Sequence, residues 1–170
     1  DTDLFKPYIE FLEEYTGIDS LTVDINDAKM LSLFNSSDAL GLDENLLKKP
    51  IPLGTLGIPE MGTGFVTKML METKPSSISE LVRISGLSHG TDVWNGNARD
   101  LIMSNTVEFK DVIGCRDDIM INLINYGLEA KKAFKIMEFV RKGKASKDPE
   151  TWAGFVEDME KCDVPAWYIN

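Results

Sequence analysis

From Arg116 to Lys142 the chain reads RDDIMINLINYGLEAKKAFKIMEFVRK, two helical patterns set back to back across one glycine. In the first, Ile119, Met120, Leu123 and Ile124 recur at the three- and four-residue intervals of one helix face, and Gly127 supplies the stop. In the second, Ala133, Ile136, Met137 and Val140 repeat the pattern. The spacing predicts helices over 116–126 and 129–142. The turn Gly127-Leu128 is short enough to require antiparallel packing, which would set Arg116, at one helix start, near Arg141, at the next helix end.

The same period runs through the rest of the chain. Leu4, Tyr8, Phe11, Leu12 and Tyr15 form a stripe that Gly17 closes. Ser77-Ile78-Ser79-Glu80 has the form of a capping box, and Gly86 reads as the end of the helix it opens. Periods and punctuation together predict helices near 3–15, 27–34, 61–71, 78–85, 97–103 and 150–161, with a further turn from Pro165. Pro50, Pro52, Gly54 and Gly57 mark a connecting loop, and the loop at 43–53 is long. No sustained alternating segment suggests a sheet. The expected class is all-α, a compact multi-helix arrangement with Gly/Pro-rich loops.

Length and composition narrow the possibilities. The chain has 170 residues and 19.0 kDa, which fits a single domain over residues 1–170. A hydrophobic fraction of 43% against 27% charged is that of a folded protein. No apolar run approaches the ~20 residues needed to span a bilayer, and the N-terminus lacks the pattern of a signal peptide. Cys115 and Cys162 lie far apart, and His89 is the sole histidine, too few ligands for an ordinary structural zinc site. Reduced thiols in a cytoplasmic protein are the plain expectation. The chain stops just after Pro165-Ala166-Trp167-Tyr168-Ile169, an aromatic turn expected to pack on a following element, as in a piece of a longer protein.

Charge is distributed unevenly. The net charge is -10. Lys131, Lys132, Lys135, Arg141, Lys142, Lys144 and Lys147 face only one acid, Glu138, so this segment carries +6 and the remainder -16. Such an acidic total argues against an independent DNA-binding module. One concentrated basic segment suggests a directed site.

Three segments offer chemistry. Ile84 to Trp94, ISGLSHGTDVW, brings a serine, a histidine and an aspartate close in sequence. Triad members converge from separate elements, however, and neighbours on one loop point apart. Gly86 and Gly90 would instead let the backbone approach a ligand, or simply make a capped turn with a hydrogen-bonded His89. Asp117 and Asp118 could in principle hold metal, but acids in a first helical turn are favoured by the dipole and by capping. Arg116 just before them is a candidate phosphate contact. In the basic run, spacing leaves both a polyphosphate site and a solvated face open.

These segments, with Gly54 to Glu60 (GTLGIPE), Glu80 to Trp94 (ELVRISGLSHGTDVW), Val112 to Met120 (VIGCRDDIM), Ala133 to Lys144 (AFKIMEFVRKGK) and Asp163 to Ile169 (DVPAWYI), resemble the PolC-type DNA polymerase III alpha subunit of Gram-positive bacteria. The resemblance covers most of the chain from Leu31 onward and is looser before it. It implies the fingers region of a replicative DNA-directed DNA polymerase, a nucleotidyltransferase of DNA replication acting on primer-template DNA and dNTP. It implies that Ser85, Gly86 and His89 lie beside the nascent base pair, and that Arg116, Arg141, Lys142 and Lys144 face the triphosphate. The two Mg2+ ions of the reaction would be held by palm aspartates preceding this segment, so the segment alone should be inactive. Palm, thumb and replisome would be its partners, with no membrane. Two alternatives remain in view: a helical interaction module of helix-hairpin-helix type using Ser85 to Gly90, and a small stand-alone regulator.

Overall fold

The computed structural model describes residues 2–43, 45, 47–90 and 93–170. Among them run α1 (Thr2–Thr16), α2 (Ala28–Ser32), α3 (Gly64–Thr73), α4 (Ile78–Ser88), α5 (Arg99–Met103), α6 (Arg116–Asn125), α7 (Ala130–Arg141), α8 (Pro149–Glu160) and α9 (Ala166–Ile169). The described residues contain no β-strand, and the fold is all-α. Single 3-10 turns lie at Ser20–Thr22, Asp38–Leu40 and Phe109–Asp111.

Local chemistry sets the boundaries. Thr63 caps α3 by accepting from the Val66 N–H at 3.3 Å, so that helix begins later than the apolar period indicates. The box at α4 is displaced by one residue: Ser77 accepts from the Glu80 N–H, but the Glu80 carboxylate reaches back to Ser76 N at 2.6 Å. Gly127 and Gly143 sit at φ +101° and +61° and close α6 and α7 with Schellman pairs. In these, Gly127 N and Leu128 N donate to Ile124 O and Leu123 O, and Gly143 N and Lys144 N to Val140 O and Phe139 O. Asn105 and Asp163 make the same turn without glycine, at φ +54° and +56°.

Two points depart from the sequence expectation. Gly86 does not end α4, which continues through it to Ser88. Residues 85–88 are therefore helix, and the hairpin needed by a helix-hairpin-helix reading is not formed. The stripe on α1 is not a core face either. Tyr8, Phe11, Leu12 and Tyr15 are all exposed, and no residue from 6 to 29 is buried. A helical period reveals an apolar stripe but not what lies against it.

Two hydrophobic clusters hold the rest. The first gathers Phe34, Leu53, Met69, Leu70, Ile84, Trp94 and Val112, with α3 packed on α4. Arg99, opening α5, grips Glu72 of α3 through two hydrogen bonds of 2.8 and 3.0 Å, and this holds the Glu72 carboxyl below its usual value. The second cluster gathers Leu123, Leu128, Ala133, Ile136, Met159 and Val164, with α6 packed on α7. The C-terminal aromatic turn packs back onto the chain. It fills the seam, with Trp167 on the first cluster and Tyr168 and Ile169 on the second. Between the clusters lies a mostly apolar cavity of about 600 Å³, walled by Leu87, Val112, Leu123, Ile136 and Trp167 among others.

Candidate functional site

The geometry starts from a contact of backbone on backbone. A Cβ placed on Gly86 would fall on the carbonyl oxygen of Gly114, and one on Gly114 would lie 2.5 Å from Cγ of Arg83. Only glycines let α4 come this close to the segment before α6. Arg83 fixes the contact, its Nη1 donating to the Val112 carbonyl and, at 3.3 Å, to Asp118 Oδ2. That same oxygen accepts from Gly114 N at 2.8 Å and Cys115 N at 3.1 Å, closing a capping box at the start of α6. The Asp118 carboxylate is thus committed to three donors. Asp117 is exposed beside Arg116, 3.9 Å away. Among the described residues no three acids, histidines or cysteines gather as a metal site. The pair serves as helix-start acids.

The residues from the serine–histidine segment separate into two faces. Ser85 and His89 are four apart and share one side of α4, whereas Gly86 lies toward Gly114 with Arg83. The close approach that Gly86 permits is therefore to protein backbone. Gly90 likewise makes room for Val93, whose Cγ atoms would lie 2.6 Å from a Cβ there. Ser88 Oγ donates to the Ser85 carbonyl at 2.8 Å, and Nε2 of the exposed His89 meets Glu60 Oε2 at 2.6 Å. Asp92, with Thr91, lies outside the described residues, so the triad arrangement has no described geometry.

At the end of α7, Arg141 and Lys142 are held by one acid. Arg141 donates to both oxygens of Glu138, Nε at 2.7 Å and Nη2 at 2.9 Å, and Lys142 Nζ lies 3.3 Å from Oε2. The hydrogen bonds from Arg141, then Lys142, bring the Glu138 carboxyl down to about 2. Beyond the Schellman turn, Lys144 is exposed and adds a weak pull on Asp148, the cap of α8. Helices α6 and α7 pack on one another across the four-residue connection 126–129, and so short a connection makes antiparallel neighbours of them, with the start of α6 toward the end of α7. Arg116 opens one helix at this end and Arg141 closes the other. Gly86 is tied to the segment before α6 by the glycine contact, and Ser85 lies on another side of α4.

Sequence reasoning overlooked several members of this arrangement. Glu138 could have been found, as the only acid in the basic run and three and four residues from its partners. Arg83 and Asp118 are 35 residues apart, and no local pattern joins them.

The comparisons with known proteins agree with one another. The family model of the bacterial DNA polymerase III alpha subunit finger domain matches residues 4–163. The chain is 57% identical over 163 residues to DNA polymerase III PolC-type of Halalkalibacterium halodurans, and 52% identical over 162 residues to the proteins of the same description from Bacillus subtilis and Bacillus cereus. Each alignment covers 95% of this chain and 11% of the relative, so the chain spans about a ninth of the length of these proteins. With a family model over nearly its whole length, the chain belongs to the bacterial DNA polymerase III alpha subunit finger domain family.

Proposed function

We propose that these 170 residues form one domain, the fingers region of a cytoplasmic replicative DNA polymerase. In this reading Arg116, Arg141, Lys142 and Lys144 bind the triphosphate of an incoming dNTP, while Ser85, Gly86 and His89 border the nascent base pair. The supporting observation is the packing of α6 on α7 across a short connection, which carries Arg116 and Arg141 toward one end of the pair. Arg141 offers a bidentate fork, and Arg116 a second, exposed guanidinium. Both suit a polyanion and neither carries base identity. A triphosphate would displace Glu138 as the partner of Arg141 and Lys142, so the pair is poised before the ligand arrives.

Nucleotidyl transfer in this family is a two-metal reaction. The carboxylates present do not fit that role, since Asp118 is committed to Gly114, Cys115 and Arg83. The Mg2+ ligands, the primer-template contacts and the catalytic step therefore belong to the rest of the polymerase, with palm and thumb as covalent partners. No helix among the described residues is long and apolar enough to cross a membrane. In the polymerase that contains this chain, Arg116→Ala and Arg141→Ala should raise KM for all four dNTPs alike, whereas Ser85 or His89 substitutions should change base selectivity. Unchanged nucleotide kinetics in the Arg141 variant would remove the triphosphate reading.

A further inference from the structure

The outer surface of α7 is not explained by a triphosphate site. The helix buries Ala133, Ile136 and Met137. At 100° per residue, the opposite direction carries Lys131, Lys135, Glu138 and Lys142, flanked by Phe134 and Arg141. Lys132, on the side of the helix, pairs with Asp158 at 2.7 Å, but Lys131 and Lys135 have no acid within ion-pair distance among the described residues. Phe134 flanking them is 51% exposed. The contrast with Phe139 on the same helix is clear: that ring stacks on Trp152 at 6.3 Å and meets Phe155 at 5.3 Å. Phe134 has no aromatic partner among the described residues.

We propose that this face, Lys131, Phe134 and Lys135, binds a single strand of DNA, namely unpaired template leading away from the nascent pair. The proposal rests on the polymerase reading above. Unpaired lysines on an otherwise acidic body select a polyanion. An exposed aromatic ring flanking them is what an unstacked base requires and what a duplex, with its bases already stacked, cannot use. Distance separates this face from the nucleotide: ten residues of helix put Lys131 about 15 Å from Arg141 along the axis, beyond the reach of one triphosphate. Lys131 and Lys135 are about 6 Å apart along it, a spacing that suits neighbouring phosphates on one strand.

The test uses the complete polymerase, with binding measured on primer-templates that have a short or a long unpaired template overhang. Phe134→Ala should weaken binding of the long-overhang template at least about fivefold, the lower bound for one lost base stack, and leave the short one unchanged. Phe134→Trp should restore it. Lys131→Ala with Lys135→Ala should reduce the salt slope of long-overhang binding by about 1.4, the value for two single-strand phosphate contacts. At saturating template, KM for dNTP should stay at the parent value in both variants. Equal weakening on both templates, or none, would overturn the proposal, as would a lowered melting point in Phe134→Ala, which would assign the ring to packing against another part of the polymerase. The dNTP reading fails separately, on the Arg141 kinetics, and overhang dependence does not enter that result.

Discussion

Glycine to alanine at two helical positions should change stability in opposite directions. Gly154 lies inside α8, where an added Cβ would meet nothing within 4 Å, and Gly86 lies inside α4 against the carbonyl of Gly114. Alanine in an unobstructed helix interior stabilises by about 1 kcal/mol through backbone entropy. Gly154→Ala should therefore raise Tm by roughly 2–4 °C in a chain of this size. At Gly86 the same entropic gain meets backbone that cannot rotate aside. Overpacking of this kind costs ~1–3 kcal/mol. Separating α4 from residues 112–115 also stretches the Arg83 bond to Val112, and a hydrogen bond from a charged donor contributes ~1.5–3 kcal/mol. With the gain subtracted, a net loss of about 1.5–5 kcal/mol remains, or roughly 3–20 °C. Thermal melts of the 170-residue chain followed by circular dichroism would measure both shifts. A Gly86→Ala protein melting at or above the parent would refute the reasoning, because the glycine contact would then be no constraint.

Three further expectations follow from the same contacts. Asp118→Asn keeps the shape of the cap but removes the charge facing Arg83, and should lower stability by about 1–3 kcal/mol, read as a lower urea midpoint at unchanged m-value. The Glu138 carboxyl, held at about 2 against an ordinary 4.5, contributes stability that is fully present above pH 4.5 and fades as pH falls toward 2; a carboxyl titration by NMR should show this, and Arg141→Ala should return the midpoint toward 4.5. The isolated chain should extend no primer with Mg2+ and all four dNTPs, and extension lost on changing Asp117 and Asp118 would show that those acids do more than start a helix.

The sequence announces those parts of the fold whose causes are local. Helix α7 is legible because Ala133, Ile136 and Met137 belong both to its period and to its buried face, although Val140, the fourth apolar position, stays exposed. Its end is legible because glycine is the usual residue for the left-handed turn at Gly143. Asn105 and Asp163 make equivalent turns with side chains that equally serve elsewhere, so those endings are not legible. Gly86 shows the more general difficulty: a glycine that permits close approach and a glycine that ends a helix are the same letter. The distinction rests on Gly114, 28 positions away, and on Arg83 and Asp118 around it. For the candidate site, charge density singled out the α7 segment, and helix connectivity singled out its C-terminal end. What charge counting could not give is that Glu138 already occupies Arg141 and Lys142.

The N-terminal stretch through α1 has a consequence for how the chain opens. From residue 6 to residue 29 no side chain is buried, and the clusters begin with Met30 and Leu31. From residue 6 onward the amide protons of α1 are therefore shielded only by the helix itself, and their hydrogen exchange should proceed by local fraying at a small fraction of the global free energy. Amides of α3, α6 and α7, backed by fully buried Met69, Leu123 and Ile136, should exchange only through global unfolding. A protease at low concentration would find its first cuts in the same stretch. A melting curve of the whole chain consequently measures the cooperative body from about residue 30 onward, and removing the stretch before it should leave Tm nearly unchanged.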